Sequence, residues 1–229
     1  MEHSMDEKSI VLQAKQIYKS FYNPSPVHIL KGIDLTVRKG DTIAIMGRSG
    51  EGKSTLLQIL GTLDSACTGD LEICGQPVNN FNKSKLRNQK LAFVFQSFHL
   101  LEDCTVLENI LMPAKIGRQN TSKSSLAYSR ACELLGHVGL DNRMHFNTKL
   151  LSGGEKQRAA IARALCNDPE ILLADEPSGN LDRQTSQQIH ALLIDFAHKQ
   201  GKTLIVVTHD NELARLCKRN YQLSEGKLV

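Results

Sequence analysis

Apolar residues along this chain follow three successive spacings. Residues 10–17 alternate, with Ile10, Leu12 and Ala14 on one face, which is the period of a half-buried strand. Asn23-Pro24-Ser25-Pro26 breaks the pattern as a turn. Residues 27–30 and 33–37 read as two short strands separated by Lys31-Gly32. Arg38-Lys39-Gly40-Asp41 then turns tightly into an apolar strand over 43–46. A helix is predicted over 53–61, ending near Gly61, followed by a short strand over 70–74 that Gly75-Gln76-Pro77 closes. Residues 83–88 have room for one or two helical turns, and 91–95 read as a strand.

The spacing becomes helical from Val106 to Leu165, where no strand pattern occurs. Leu126, Ala127, Ala131, Leu134, Leu135 and Val138 place a helix within 122–138, and a second covers 152–166. After Asp168-Pro169 strands and helices alternate: a buried-type strand at 171–174, a helix at 182–200, a β-branched strand at 203–207 and a helix at 211–218. A hairpin around Glu225-Gly226 ends the chain, over 221–229. Near-continuous apolar strands separated by helices predict a parallel, doubly wound α/β sheet. The expectation is one domain, 1–229, with a core at 9–97 and 166–229, an antiparallel side sheet and a helical subdomain at about 98–165.

Composition narrows the class only a little. The chain has 229 residues, enough for a sizeable core, with 41% hydrophobic and 23% charged residues. A net charge of +4, spread along the chain, gives no basic patch, and no nucleic-acid partner is expected. The six cysteines form no CxxC pair and none has a histidine at zinc-ligand spacing, which suits reduced thiols. No apolar run reaches the about 18 residues a spanning helix needs, and residues 1–8 are polar, without a signal-peptide core. Work at a membrane would require another chain to supply the membrane part.

Three stretches carry chemistry. The strand at 43–46 runs into Gly47-Arg48-Ser49-Gly50-Glu51-Gly52-Lys53-Ser54-Thr55, which fills the pattern G-x-x-x-x-G-K-[ST]. Its glycines let successive N–H groups turn toward a phosphate, and the following helix presents its positive end there. Lys53 would reach the β- and γ-phosphates, and Ser54 would hold Mg²⁺. The bland alternative is an ordinary Gly-rich βα turn. The strand at 171–174 ends in Asp175-Glu176, at the carboxyl end of a buried strand, where open α/β sheets bind ligands. Asp175 is placed to hold Mg²⁺ through water, and Glu176 to take a proton from an attacking water. In Leu151-Ser152-Gly153-Gly154-Glu155-Lys156-Gln157-Arg158, Ser152 and Glu155 have capping-box spacing. Two glycines in that first turn, poor helix formers, suggest a bare helix start for a second phosphate contact.

In order and spacing these stretches make the sequence resemble the ATP-binding subunits of ABC transporters, over essentially its whole length. The resemblance implies a P-loop NTPase (RecA-like) core. It implies a homodimer in which the Ser152-Gly153-Gly154 stretch of one chain closes over nucleotide held by the phosphate loop of the other. It assigns further positions one by one. Gln96 contacts Mg²⁺ and water and communicates with the membrane subunit. The segment Ser178-Gly179-Asn180-Leu181-Asp182 crosses the dimer interface. His209 contacts the γ-phosphate, and Phe21, with Tyr22 as fallback, stacks on adenine. Alone, Gln96, Phe21 and His209 would read as a surface amide, a core aromatic and a neighbour of a helix cap. Glu51 departs from the small residue usual in this loop, and a carboxylate near triphosphate is unfavourable unless it points to solvent, with Arg48 as a possible offset. Residues 145–150 lack the polar, Pro-rich lead of relatives.

Within the family, Gly61-Thr62-Leu63-Asp64, Ser97-Phe98-His99-Leu100-Leu101 and Thr105-Val106-Leu107-Glu108-Asn109-Ile110 resemble the group of lipoprotein-releasing, macrolide-exporting and division ATPases, and lean toward the first. The alternatives are an FtsE-like ATPase controlling cell-wall enzymes and a macrolide-type export ATPase. The resemblance implies hydrolysis of ATP·Mg²⁺ on the cytoplasmic side of the bacterial inner membrane, with FtsX-like permease subunits as partners.

Overall fold

A computed structural model of the chain describes residues 9–22 and 25–229. The expectations for the polar residues 1–8 and for Asn23-Pro24 lie outside the described residues. Ten strands, seven α-helices and two short 3₁₀ turns are described. Six strands form the central sheet: β3 (Thr42–Met46), β6 (Leu91–Val94), β7 (Ile171–Asp175), β8 (Thr203–Val207), β9 (Arg219–Ser224) and β10 (Lys227–Leu228), in the order β10-β9-β3-β8-β7-β6. All neighbours are parallel except the β9–β10 hairpin. β1 (Ile10–Tyr22), β2 (Pro26–Arg38), β4 (Thr68–Ile73) and β5 (Gln76–Pro77) make the antiparallel side sheet, ordered β2-β1-β4-β5.

The apolar runs are explained by two cores. Side chains of a strand alternate between faces. Ile43, Ile45, Ile171, Leu173, Ile205 and Val207 enter a core shared with the side sheet and helix α1 (Lys53–Leu60). Ala44, Leu172, Ala174, Leu204 and Val206 enter the other core, against α3 (Val106–Ile116), α4 (Leu126–His137), α5 (Gly153–Leu165) and α6 (Arg183–Lys199). A strand buried on both faces loses the polar alternation. α2 (Lys83–Gln89) precedes β6, and α7 (Asn211–Leu216) follows β8.

Some boundaries differ from the sequence reading. The two short strands of 27–37 are one strand, β2, and β1 runs on to Tyr22 as its partner. Gly32, at φ +78°, absorbs the irregularity inside the strand, where a Cβ would come within 2.8 Å of the Tyr18 hydroxyl. α4 starts at Leu126 because Ser125 caps it, its hydroxyl accepting from the Tyr128 N–H at 3.2 Å. β9 begins at Arg219 because it pairs with β3, from Ile43↔Arg219 to Met46↔Gln222.

Candidate active site

Parallel pairing brings four strand ends to one edge. The register Ile45↔Val207, Asp175↔Val207 and Val94↔Ala174 sets the residues after β3, β6, β7 and β8 side by side. A cleft of about 690 Å³ opens there, lined by Ile29, the phosphate loop, Gln96, Glu176 and His209, a size that suits a nucleotide.

The phosphate loop takes its shape from Gly50 and Gly52, at φ +84° and +94°. α1 begins without any side-chain cap, so its first N–H groups face the loop unspent. The Lys53 ammonium, nearly buried, donates to the carbonyls of Gly47 at 2.8 Å and Arg48 at 3.1 Å. Ser54 Oγ donates to Asp175 Oδ1 at 3.0 Å, so a hydroxyl and a carboxylate converge as hard oxygen donors beside the cradle. Burial pushes the Asp175 carboxyl above its ordinary range; the Ser54 bond opposes this, and Glu176 adds to it.

Glu176 stands at φ +44°, a conformation held by its own contacts. Its N–H bonds Val207 O at 3.0 Å. Its carboxylate accepts from Thr208 Oγ1 at 3.0 Å and the His209 N–H at 3.3 Å, and lies 2.9 Å from His209 Nδ1. The Gln96 amide donates to Asn180 Oδ1 at 3.1 Å, tying it to the 178–182 segment. A base, an imidazole and an amide thus face a cradle of N–H groups across one cleft. That arrangement can bind a polyphosphate and orient water at its end.

The fold brings Gly47, Arg48, Ser49, Gly50, Gly52, Lys53, Ser54, Thr55, Gln96, Glu176 and His209 to this cleft, with Asp175 reached through Ser54. Glu51 does not line it. Its carboxylate turns back to accept the Arg48 N–H at 3.3 Å, on the side of the loop where Gly47 meets Leu223. The half-buried carboxylate engages the Arg48 backbone rather than its guanidinium, and so occupies an N–H of the loop itself.

Phe21 does not line the cleft either. It lies half-exposed near the hairpin end of β1, with Lys19 Nζ 5.0 Å from its ring centre, and Tyr22 is more exposed still. Ser152, Gly153 and Gly154 are also absent from it. They open α5, with the Ser152–Glu155 capping box formed and Arg143 on the Glu155 carboxylate at 3.3 Å. Gly154 is bare for an internal reason: a Cβ there would fall 2.6 Å from Thr185 Cγ2 of α6.

The model of the ABC transporter family matches residues 30–179. The lipoprotein-releasing system ATP-binding protein LolD of Protochlamydia amoebophila is 59% identical over 96% of this chain and 96% of its own length. The chain belongs to the ABC transporter family. The LolD of Alcanivorax borkumensis shares 45% identity with this ABC chain over 98% of it and 99% of its own length. Among solved structures, a dimeric bacterial ABC transporter cassette superimposes with a TM-score of 0.87 at 36% identity, covering 95% of this chain and 96% of the other. A cassette in a post-hydrolysis state bound to ADP and Pi superimposes at 0.85 with the same identity and coverage.

Three residues of this ABC site escaped the motif reading. Ile29 reaches the cleft from the side sheet. Thr208 holds Glu176; a polar residue directly after the β-branched strand 203–207 was its one signal. Ser178 was read only as part of its segment, and it turns inward to His190.

Proposed function

We propose that this chain is the ATP-hydrolysing subunit of a membrane complex that releases lipoproteins, as its likeness to the LolD proteins suggests. The observation that carries the reading is the cleft itself, where Lys53 and the open α1 N-terminus face Glu176 and His209. Lipoprotein release is favoured over division-type or macrolide-type roles because the relatives described above are lipoprotein-releasing ATPases.

Two chains act together. The starts of α5 lie outside their own cleft, and a dimeric cassette superimposes on this fold. In the closed pair, Ser152, Gly153 and Gly154 of one chain would cover the triphosphate that the other holds on Gly47–Thr55. Ser54, Asp175 and Gln96 would hold Mg²⁺, which when bound neutralises charge on the phosphates. Glu176, oriented by Thr208 and His209, orients water and accepts its proton. His209 stands toward the γ-phosphate, and Phe21 or Tyr22 takes the adenine.

No helix among the described residues is long and apolar enough to cross a membrane, so permease subunits, of the FtsX-like type, supply the span. The chain then works at the cytoplasmic face of the inner membrane. A groove beside β6, with Met112, Pro113 and the exposed Ile116, would suit such subunits as an apolar landing next to the strand that leads to Gln96.

Glu176→Gln tests the reading. The variant should bind ATP with ordinary affinity, accumulate as a dimer on gel filtration with ATP, and lose turnover by about 10²-fold or more. Turnover like the parent's would remove Glu176 from its role.

A further inference from the structure

The side chains beneath the segment that follows Glu176 are buried and polar. Gln157, Ser178 and His190 are 0%, 7% and 2% exposed. His190 sits on α6 beside Ile189 and near Leu193, both fully buried, where the helix pattern asks for an apolar residue. A buried imidazole persists there only with partners. Its Nε2 shares a hydrogen bond with Ser178 Oγ at 2.8 Å and lies 3.6 Å from Asp210 Oδ2.

Both contacts lead to the cleft. Ser178 lies between Glu176 and Asn180, and Asn180 holds the Gln96 amide. The same segment is fastened by Gln157 Nε2 to Pro177 O and by Ser186 Oγ to Ser178 O. Asp210 follows His209. Its N–H bonds Thr208 Oγ1 at 3.0 Å, and that hydroxyl donates to Glu176 Oε2. One ring therefore touches two loops whose far sides carry the groups of the site.

We propose that His190 is a positioning residue for ATP hydrolysis: through Ser178 and Asp210 it fixes the two loops that aim Glu176, Gln96 and His209. The inference rests on the ATPase reading above. His190 does not line the cleft, so it acts through its neighbours. The charges that act on the ring come from the start of α7, Asp210 and Glu212, and the latter is engaged by Arg183 at 2.8 Å and Gln187 at 3.3 Å from α6 itself. α5 and the 177–181 segment present the neutral Gln157 and Ser178. Burial outweighs the pull of Asp210 and Glu212 and holds the ring below its ordinary pKa, so the working form is neutral. Protonation would turn the approach to Asp210 Oδ2 into an ion pair and pull on the carboxylate whose other oxygen caps the Glu212 and Leu213 N–H groups.

The test uses the full-length chain with two substitutions. His190→Met keeps bulk and removes the polar atom, whereas His190→Gln returns a polar atom near the place of Nε2. Turnover is measured from pH 5.5 to 8, and nucleotide affinity with a fluorescent ATP analogue. His190→Met should lower kcat about tenfold, with affinity within about twofold, and His190→Gln should restore most of the rate. The rate of the unsubstituted protein should fall more steeply toward pH 5.5 than that of His190→Gln. Unchanged kcat in His190→Met, or superimposable pH profiles for the protein and His190→Gln, would overturn the proposal. If His190→Met does not fold, the His190→Gln profile decides. If the unsubstituted protein binds no nucleotide, the ATPase reading fails first and takes this inference with it.

Discussion

Gly61 has no room for even one methyl group. A Cβ built there falls 1.7 Å from Phe93 Cζ and 2.8 Å from Leu173 Cδ1, because the end of α1 rests on the sheet. Gly61→Ala should therefore destabilise the protein by about 1–3 kcal/mol, seen as a lower urea midpoint with an unchanged m-value. From its local spacing Gly61 reads as a helix stop, since a stop and a close approach call for the same residue. Glu51 was legible as an oddity but not as a backbone acceptor, because side-chain direction is set by the loop around it. His190 adds a stability prediction. Its pKa is lowered by folding, so the unfolded chain binds the proton more readily. The stability from the neutral ring is present above the unfolded value and is lost as pH falls below it, toward the folded pKa. Melting temperature should fall more between pH 7 and pH 5.5 in the unsubstituted protein than in His190→Gln.

At the scale of elements, local signals and pairing divide the outcome. α3 shows the local kind. Thr105 Oγ1 accepts from the Glu108 N–H at 3.2 Å, and the Glu108 carboxylate accepts from the Thr105 N–H at 2.8 Å. Thr105→Ala should cost about 1 kcal/mol of stability, readable in denaturant unfolding. That cap could be placed from sequence because its partners are three residues apart. β2 shows the other kind. Lys31-Gly32 reads as a break, yet Tyr18↔Lys31 and Ile17↔Ile33 carry the ladder through it. A neighbour distant in sequence supplies the hydrogen bonds that a local reading cannot see. The start of α5 combines both: its capping box follows from Ser152 and Glu155, while the need for glycine at 154 comes from Thr185 of α6.

At the scale of the whole molecule the question is whether each site is built by one chain or two. The start of α5 does not line its own cleft, so a chain with a damaged α5 start should still carry an intact Lys53–Glu176–His209 side. Ser152→Arg and Glu176→Gln should each abolish turnover alone. Mixed together, they should regain part of it, because one site of the mixed dimer joins an intact Glu176 to an intact Ser152. No recovery on mixing, with heterodimers shown to form, would mean that each chain builds its site alone. In the same sense, specific activity should rise with protein concentration over the range in which chains pair.

Taken alone, the sequence determined the α/β character, the phosphate loop, the carboxylates closing β7 and the capped start of α5. Each is written in residues within a few positions of one another, where helix and strand periods and turn chemistry act. The tertiary structure decided which strand ends share an edge, through parallel registers that join segments distant in sequence, as Ile43 with Arg219 and Leu91 with Ile171. It also decided where side chains point once neighbours fill the space: Glu51 onto the Arg48 N–H, Thr208 onto Glu176, and His190 between Ser178 and Asp210. Those contacts depend on close packing of distant segments, and no local spacing encodes them.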